Sequence, residues 1–397
     1  MRLKSLALTA ALCLGLAAPA QAASGTTYVG DAKLLIDNQE IFGEIRHLVE
    51  GAERSVAVDY YVLGGPQAEQ LADLLVQRQR EGVVVRVMLD PDMGILPALK
   101  ALTEPVVRKL RLAQVPVRFY PREALARLHG YRYVEDHNKS VVVDGVEAVC
   151  TSMNFGAGLL INHEVGVHIS GNAAHAMDMD ILSAFELSKP MGPEAPRAWP
   201  SAAMPTGNGG AHITYVPTGL SGCSARQAVL CALQAARTSV DVMMSQLEDQ
   251  EAVNALIAAH GRGVAVRVLL DPNEIAHLSP LGWAPNGVFN LQSAVRLAAA
   301  GVAVSWYAPP AGQHALHAKS ALIDGQTLLV GSTNWNFMSF DMNNETLLRV
   351  EGGRAPARFA STFQHDWTSR ANGFKHDGSP MLGPRLWAYQ GLAWILN

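Results

Sequence analysis

The chain is one unit written twice. Val85-Arg86-Val87-Met88-Leu89-Asp90-Pro91 returns as Val266-Arg267-Val268-Leu269-Leu270-Asp271-Pro272, and Val115-Pro-Val-Arg-Phe-Tyr120 as Val302-Ala-Val-Ser-Trp-Tyr307. His137-Asn-Lys139-Ser-Val-Val-Val-Asp144-Gly145 returns as His317-Ala-Lys319-Ser-Ala-Leu-Ile-Asp324-Gly325, and Thr151-Ser-Met-Asn154 as Gly331-Ser-Thr-Asn334. The offset stays between 180 and 187 residues, which excludes a short-period solenoid and requires two similar domains.

Each copy alternates helix and strand. Ile41, Ile45, Leu48 and Val49 fall at helical spacing, residues 55–62 read as a strand, 67–81 as a helix and 83–89 as a nearly all-apolar strand. Residues 97–112 read as a helix, 115–120 as a strand, and 141–143 with 147–151 as a hairpin turning at Asp144-Gly145. The second copy repeats the order: helix 225–236, strand 238–243, helix 250–261, strand 264–270, helix 291–300, strand 302–307, hairpin 320–330. Apolar strands alternating with helices imply sheets covered on both faces. The fold class expected is therefore α/β, with two tandem α/β/α sandwich lobes related by a pseudo-twofold axis.

The lobes are expected over 23–188 and 214–370, joined by a Pro- and Gly-rich linker, 189–213, and followed by an apolar tail, 371–397. Residues 274–290 read as a long loop that rims a site or simply covers surface. Residues 1–22 combine Arg2 and Lys4, an apolar run and Ala20-Gln21-Ala22, the pattern of a cleaved secretory signal peptide. The expectation is a soluble exported protein, periplasmic or secreted. Cys13 lacks a lipoprotein context, and no other stretch reaches the roughly 18 apolar residues of a membrane helix. Hydrophobic residues make up 49% and charged ones 17%, which excludes a disordered chain. Loss of residues 1–22 makes the net charge two units more negative than the full chain's −4, which counts against generic DNA binding. Of the remaining cysteines, Cys150 reads as a buried thiol, and Cys223 can reach Cys231 only if it lies outside the helix that carries Cys231.

The chemistry lies in His-x-Lys-(x)4-Asp, which takes up two of the chain's eight lysines. In each copy an Asn follows the His by 17 residues: Asn154 after His137, Asn334 after His317. Strand alternation puts His137 with Lys139, and His317 with Lys319, on one face. Each half offers one imidazole, one ammonium, one amide and one hydroxyl, Ser152 or Ser332, but a single half lacks an acid/base pair. Two halves face to face supply two imidazoles, one on each side of a phosphorus. One attacks in line and forms a phosphohistidine; the other protonates the leaving oxygen and then activates water or an alcohol. Lys139, Lys319, Asn154, Asn334, Ser152 and Ser332 would hold the non-bridging oxygens. No metal and no cofactor is called for. Glu164 and Glu345, each in an Asn-x-Glu context, are expected to accept a hydrogen bond from the His of their own half. Asp144 and Asp324 are expected to support the hairpin turns. Tyr131, Tyr133 and Trp335 flank the motifs, as entrance or as packing.

These residues resemble the phospholipase D superfamily, whose hallmark is the duplicated HKD motif. The resemblance spans roughly 34–170 and 214–350, and Gly331-Ser-Thr-Asn334-Trp-Asn-Phe-Met-Ser339 onward to Glu345 is similar to the stretch after the second motif in bacterial cardiolipin synthases. Asn336, Met338 and Thr151 depart from that pattern. The resemblance implies two α/β/α lobes, one interfacial site, no metal, and His137 as nucleophile with His317 as acid/base. The function expected is an exported phospholipase D-type phosphodiesterase or transphosphatidylase, acting as a monomer on phospholipid, with peripheral membrane contact through Leu386–Leu396. The alternative is a metal-independent nuclease of the same superfamily.

Overall fold

The computed structural model describes residues 25–373 apart from 95–96, 125–133, 157–160, 196, 201–208, 220–223 and 273–288. The expected signal peptide, nearly all of the tail, Cys223, Tyr131, Tyr133 and most of the long loop lie outside the described residues.

The first half folds as β1 (Thr26–Gly30), β2 (Ala32–Ile36), α1 (Asp37–Glu50), β3 (Ser55–Tyr60), α2 (Pro66–Arg80), β4 (Val84–Leu89), α3 (Pro97–Leu112), β5 (Val117–Phe119), β6 (Lys139–Val143), β7 (Glu147–Thr151), β8 (Val165–Ser170) and α4 (Asn172–Leu187). The second follows as β9 (Ala211–Pro217), α5 (Ala225–Ala235), β10 (Ser239–Met244), α6 (Gln250–Gly261), β11 (Ala265–Leu270), α7 (Leu291–Ala299), β12 (Ala303–Tyr307), β13 (Lys319–Ile323), β14 (Thr327–Gly331), β15 (Thr346–Gly352), α8 (Ala355–Ser369) and β16 (Ala371–Gly373).

Two mixed sheets result, ordered β2-β8-β7-β6-β3-β4-β5 and β1-β9-β15-β14-β13-β10-β11-β12-β16. In each, three strands run parallel (β3-β4-β5; β10-β11-β12) and the hairpin adds antiparallel to the first of them. Helices α1–α3 cover one outer face and α5–α7 the other, each over its own apolar core. A third core lies between the sheets, built from α4 (Ala173, Met177, Phe185), α8 (Phe359, Phe363) and inward residues of both sheets such as Val167 and Leu348. Each sheet is thus sandwiched by helices as the apolar strands require, but the inner helical layer is shared.

The lobe boundary is less clean than the sequence implies. β1 lies within the expected first lobe yet pairs antiparallel with β9 in the second sheet, Thr26 opposite Tyr215. The start of the linker is laid against the first lobe: Arg118 pairs with Glu194, the Trp199 indole donates to Asp178, and Arg197 donates to the Val83 carbonyl. The first three residues of the expected tail are β16, paired with β12.

Both hairpins turn through left-handed backbone, Asp144 at φ +53° and Gly145 at +69°, Asp324 at +53° and Gly325 at +66°. Asp tolerates this region because its carboxylate finds local donors. Asp144 accepts from the Arg54 and Ser55 amides, and Asp324 from those of Arg237, Thr238 and Ser239. Both stand at the opposite end of their strand from the motif lysine.

Candidate active site

The motif lysines begin β6 and β13, where Lys139 pairs with Tyr60 and Lys319 with Met244. Tyr60 and Met244 end the leading parallel strand of each sheet, so the motifs sit at the carboxyl edge, where open α/β sheets place their sites. Just before them the backbone crosses between lobes. The His137 amide donates to the Asn344 carbonyl (2.9 Å), and the His317 amide to the His163 carbonyl (2.9 Å). Each motif is stitched to the Asn-x-Glu segment of the opposite lobe.

This crossing corrects the expected pairing of each Glu with its own half's His. His137 Nδ1 lies 2.8 Å from Glu345 Oε1, and His317 Nδ1 lies 2.9 Å from Glu164 Oε1 and 3.0 Å from its Oε2. The reason is strand order. Within one sheet β7 separates β6 from β8, and β14 separates β13 from β15, a distance of about 10 Å. Only apposition of the lobes brings a buried carboxylate to each imidazole. A carboxylate at Nδ1 fixes the tautomer that carries its proton there and leaves Nε2 free to react.

Ser152 and Ser332, expected at the phosphate, are committed elsewhere. Their hydroxyls donate to Glu164 Oε2 and Glu345 Oε2, and accept from the backbone amides of Val165 and Thr346 at 3.0 Å. A hydroxyl has one proton, so neither has a hydrogen left for a substrate oxygen. They hold the carboxylates that hold the imidazoles.

Lys139 and Lys319 are buried, and each donates to the carbonyl of its own motif His, at 2.6 and 2.7 Å. Burial pushes the Lys139 ammonium down to about 8 and that of Lys319 to about 7, with Glu345 and Glu164 opposing that loss. Asn154 and Asn334 are buried, and the Oδ1 of each accepts no hydrogen bond. Such an unsatisfied acceptor is costly in a folded core, and a non-bridging phosphate oxygen, itself an acceptor, can be met by the amide Nδ2 but not by this Oδ1.

The halves are not electrostatically equal. Burial, aided by Lys139 and Lys319, holds His137 well below the usual imidazole range. His317 is also lowered by burial, but the Glu164 charge opposes this. Burial works to raise Glu164, yet His317, Lys319 and Ser152 outweigh it and keep this carboxylate low. Glu345 is pushed up to about 7 by burial, despite Lys139, Ser332 and Ser339. His137 is therefore a neutral base at rest, while His317 sits against a firmly ionised partner.

Several supports are not evident from the motifs. The repeated Asp-Pro pair is the readable one: Asp90 Oδ2 accepts from the Asp136 amide (2.6 Å) and Asp271 Oδ2 from the Leu316 amide (2.5 Å), so each fixes the residue before a motif His. Tyr61 packs its ring at 61° to His137, centroids 4.9 Å apart. Asp136 and Asp59 form a buried carboxyl pair, with Asn344 donating to Asp136 and Asn138 to Asp59. Trp335 is buried in the second lobe's core and lines no entrance.

The family model described as cardiolipin synthase, PLD-like domain, matches residues 45–181 and 229–367, one motif in each match. Cardiolipin synthase A of Salmonella arizonae is 26% identical over 376 residues, covering 91% of this chain and 72% of that protein. Cardiolipin synthase A of Salmonella paratyphi B matches to the same extent. The crystal structure of a phosphatidylserine synthase from Haemophilus influenzae Rd KW20 superposes with a TM-score of 0.68 at 13% identity, over 91% of this chain and 92% of that one. That likeness shows a shared fold.

Proposed function

Because this chain belongs to the phospholipase D superfamily, in the family of PLD-like cardiolipin synthase domains, we propose that it cleaves phospholipid phosphodiesters and transfers the phosphatidyl group to an alcohol or to water. The observation that carries the reading is the reciprocal pair His137–Glu345 and His317–Glu164, each buried and each spanning the lobes. The relatives named for synthesis, cardiolipin synthase A, support transfer to an alcohol over simple hydrolysis.

His137 Nε2 attacks phosphorus. The bond to the leaving oxygen breaks, and that oxygen takes the proton of His317 Nε2. His137 then carries the phosphatidyl group, and His317, now neutral, takes the proton of the incoming alcohol or water as its oxygen displaces His137. The roles follow the asymmetry of the site: a neutral His137 has a free lone pair, while the ionised Glu164 opposes the loss of a proton that burial imposes on His317 and makes it the more readily protonated of the two. Lys139, Lys319 and the amides of Asn154 and Asn334 stabilise the charge gathering on the non-bridging oxygens.

Export through residues 1–22 and contact of the apolar tail with a lipid surface are part of the same proposal. Arg2, Lys4 and Ala20-Gln21-Ala22 support the first, and Leu386–Leu396 the second.

The test is a panel of labelled phosphatidylcholine, phosphatidylethanolamine and phosphatidylglycerol, with glycerol or phosphatidylglycerol as acceptor, in EDTA. Head-group release or cardiolipin formation, lost in His137→Ala, is expected. Turnover of single- or double-stranded DNA with none of the lipids overturns the lipid reading. Amino-terminal sequencing of the periplasmic protein is expected to begin at Ala23.

A further inference from the structure

His163 precedes Glu164 and is almost wholly buried between the lobes. Its Nδ1 lies 2.7 Å from Asp37 Oδ1 and its Nε2 lies 2.9 Å from Asp366 Oδ2. A neutral imidazole has one N–H, so it can donate to one carboxylate only; two carboxylates at these distances require both nitrogens protonated. Asp37 opens α1 in the first lobe, whereas Asp366 lies on α8 in the second. Tyr307 of β12 stacks on the imidazole, centroids 5.4 Å apart and planes 6° apart. Arg370, beyond the end of α8, pairs with Asp366 and donates to the Tyr307 hydroxyl. Gln313 donates to Asp37 Oδ2.

Asp37 has a second task. It sits at φ +61°, a strained setting for a residue with a Cβ. From there its amide donates to the Glu164 carbonyl (3.0 Å), while its carboxylate accepts from the Glu164 amide (3.1 Å). Thr218 does the same for Glu345: its amide donates to the Glu345 carbonyl (3.0 Å), and its hydroxyl accepts from the Glu345 amide (2.8 Å). Where the first half has His163, the second has neutral Asn344, which donates to Asp136. The two buried glutamates therefore rest on unlike supports, one charged and one neutral.

We propose that the His163 imidazolium, clamped between Asp37 and Asp366, is a positioning residue that locks the Glu164 backbone across the lobe boundary and so sets the Glu164–His317 pair. The inference deepens the proposed phosphodiester reaction and rests on it for its kinetic readout. The groups facing the imidazole are Asp37 from α1, Asp366 and Arg370 from α8 and its end, and Tyr307 from β12. Together the two carboxylates outweigh burial and raise His163 to about 9. The clamp is thus complete at neutral pH and comes apart as pH rises through about 9.

The experiment compares wild type, His163→Asn and Asp366→Asn with bis(4-nitrophenyl) phosphate and labelled phosphatidylglycerol across pH 6–10. In His163→Asn, kcat at pH 7 is expected to fall about tenfold with KM within twofold, and the ratio of wild-type to variant kcat to shrink as pH rises through about 9, a ratio from which the Lys139 and Lys319 titrations common to both proteins cancel. In Asp366→Asn, set against the same His163→Asn baseline, that convergence moves to lower pH. A His163→Asn variant that keeps the wild-type kcat at pH 7, or a ratio that stays flat from pH 7 to 10, overturns the proposal. Nitrogen NMR of the histidine rings at pH 7, assigned with His163→Asn, reads the clamp without turnover. Two protonated ring nitrogens on His163 are expected, and a single one overturns it even if the substrate reading fails.

Discussion

His137 Nδ1 and Glu345 Oε1 stand 2.8 Å apart although 208 residues and a lobe boundary separate them. His317 and Glu164 repeat the relationship in reverse. Neither lobe carries a correctly held imidazole alone. Duplication has produced two interlocked half-sites, and the reactive unit exists only at their seam.

Glu345→Gln is expected to lower kcat about 10- to 100-fold with little change in KM, because the amide has one acceptor oxygen where the carboxyl has two and cannot accept from both His137 and Ser332. Unchanged kcat would show that the carboxylate is packing only. Ser332→Ala, which strips a donor from the same buried group, is expected to cost about 1–3 kcal/mol in a denaturant titration.

Anion affinity should follow the lysines. Their folded-state values, about 8 for Lys139 and about 7 for Lys319, lie below the free value of 10.5. Burying the charged forms therefore destabilises the fold fully below about pH 7, and the penalty is relieved as pH rises toward 10.5. A bound anion offsets that penalty only while the lysines are protonated. Competitive inhibition by sulfate, whose charge is fixed over this range, should weaken at least about tenfold from pH 7 to 9. A flat inhibition constant would place the anion elsewhere.

The hairpin aspartates should act on stability alone. Asp324→Ala removes the acceptor of three backbone amides and puts a Cβ without compensation at φ +53°. A loss of about 1–2 kcal/mol is expected in thermal unfolding, with kcat at 25 °C unchanged. A kcat that falls with no loss of stability would assign Asp324 a chemical role.

The Asp59–Asp136 pair should tolerate an amide. Burial raises Asp59 to about 6 and, with the Asp59 charge beside it, raises Asp136 further. Carboxyls raised above their unfolded values favour the fold in acid and lose that contribution as pH rises, here through about 6. Asp136→Asn keeps an acceptor for Asn344 and supplies a permanent donor to Asp59. Its unfolding free energy should vary less between pH 4 and 7 than the wild type's, with kcat within about threefold. An unfolded variant, or an unchanged slope, would refute the raised pair.

The sequence by itself determined the repeat, the strand and helix order of each half, the hairpin turns and the two His-x-Lys-(x)4-Asp motifs. Those features are local: periodicity, turn chemistry and spacing express what a segment does with its neighbours in the chain. It also carried the Asp90 and Asp271 supports, visible as a repeat though without an assigned partner. Tertiary structure alone decided which Glu serves which His, that Ser152 and Ser332 serve the glutamates, that β1 joins the far sheet, and that His163 is held between Asp37 and Asp366. Every one of these depends on how two lobes meet. Two copies that look alike in sequence can pair within or across, and the choice is made by strand order and a shared apolar layer, which no spacing along the chain records.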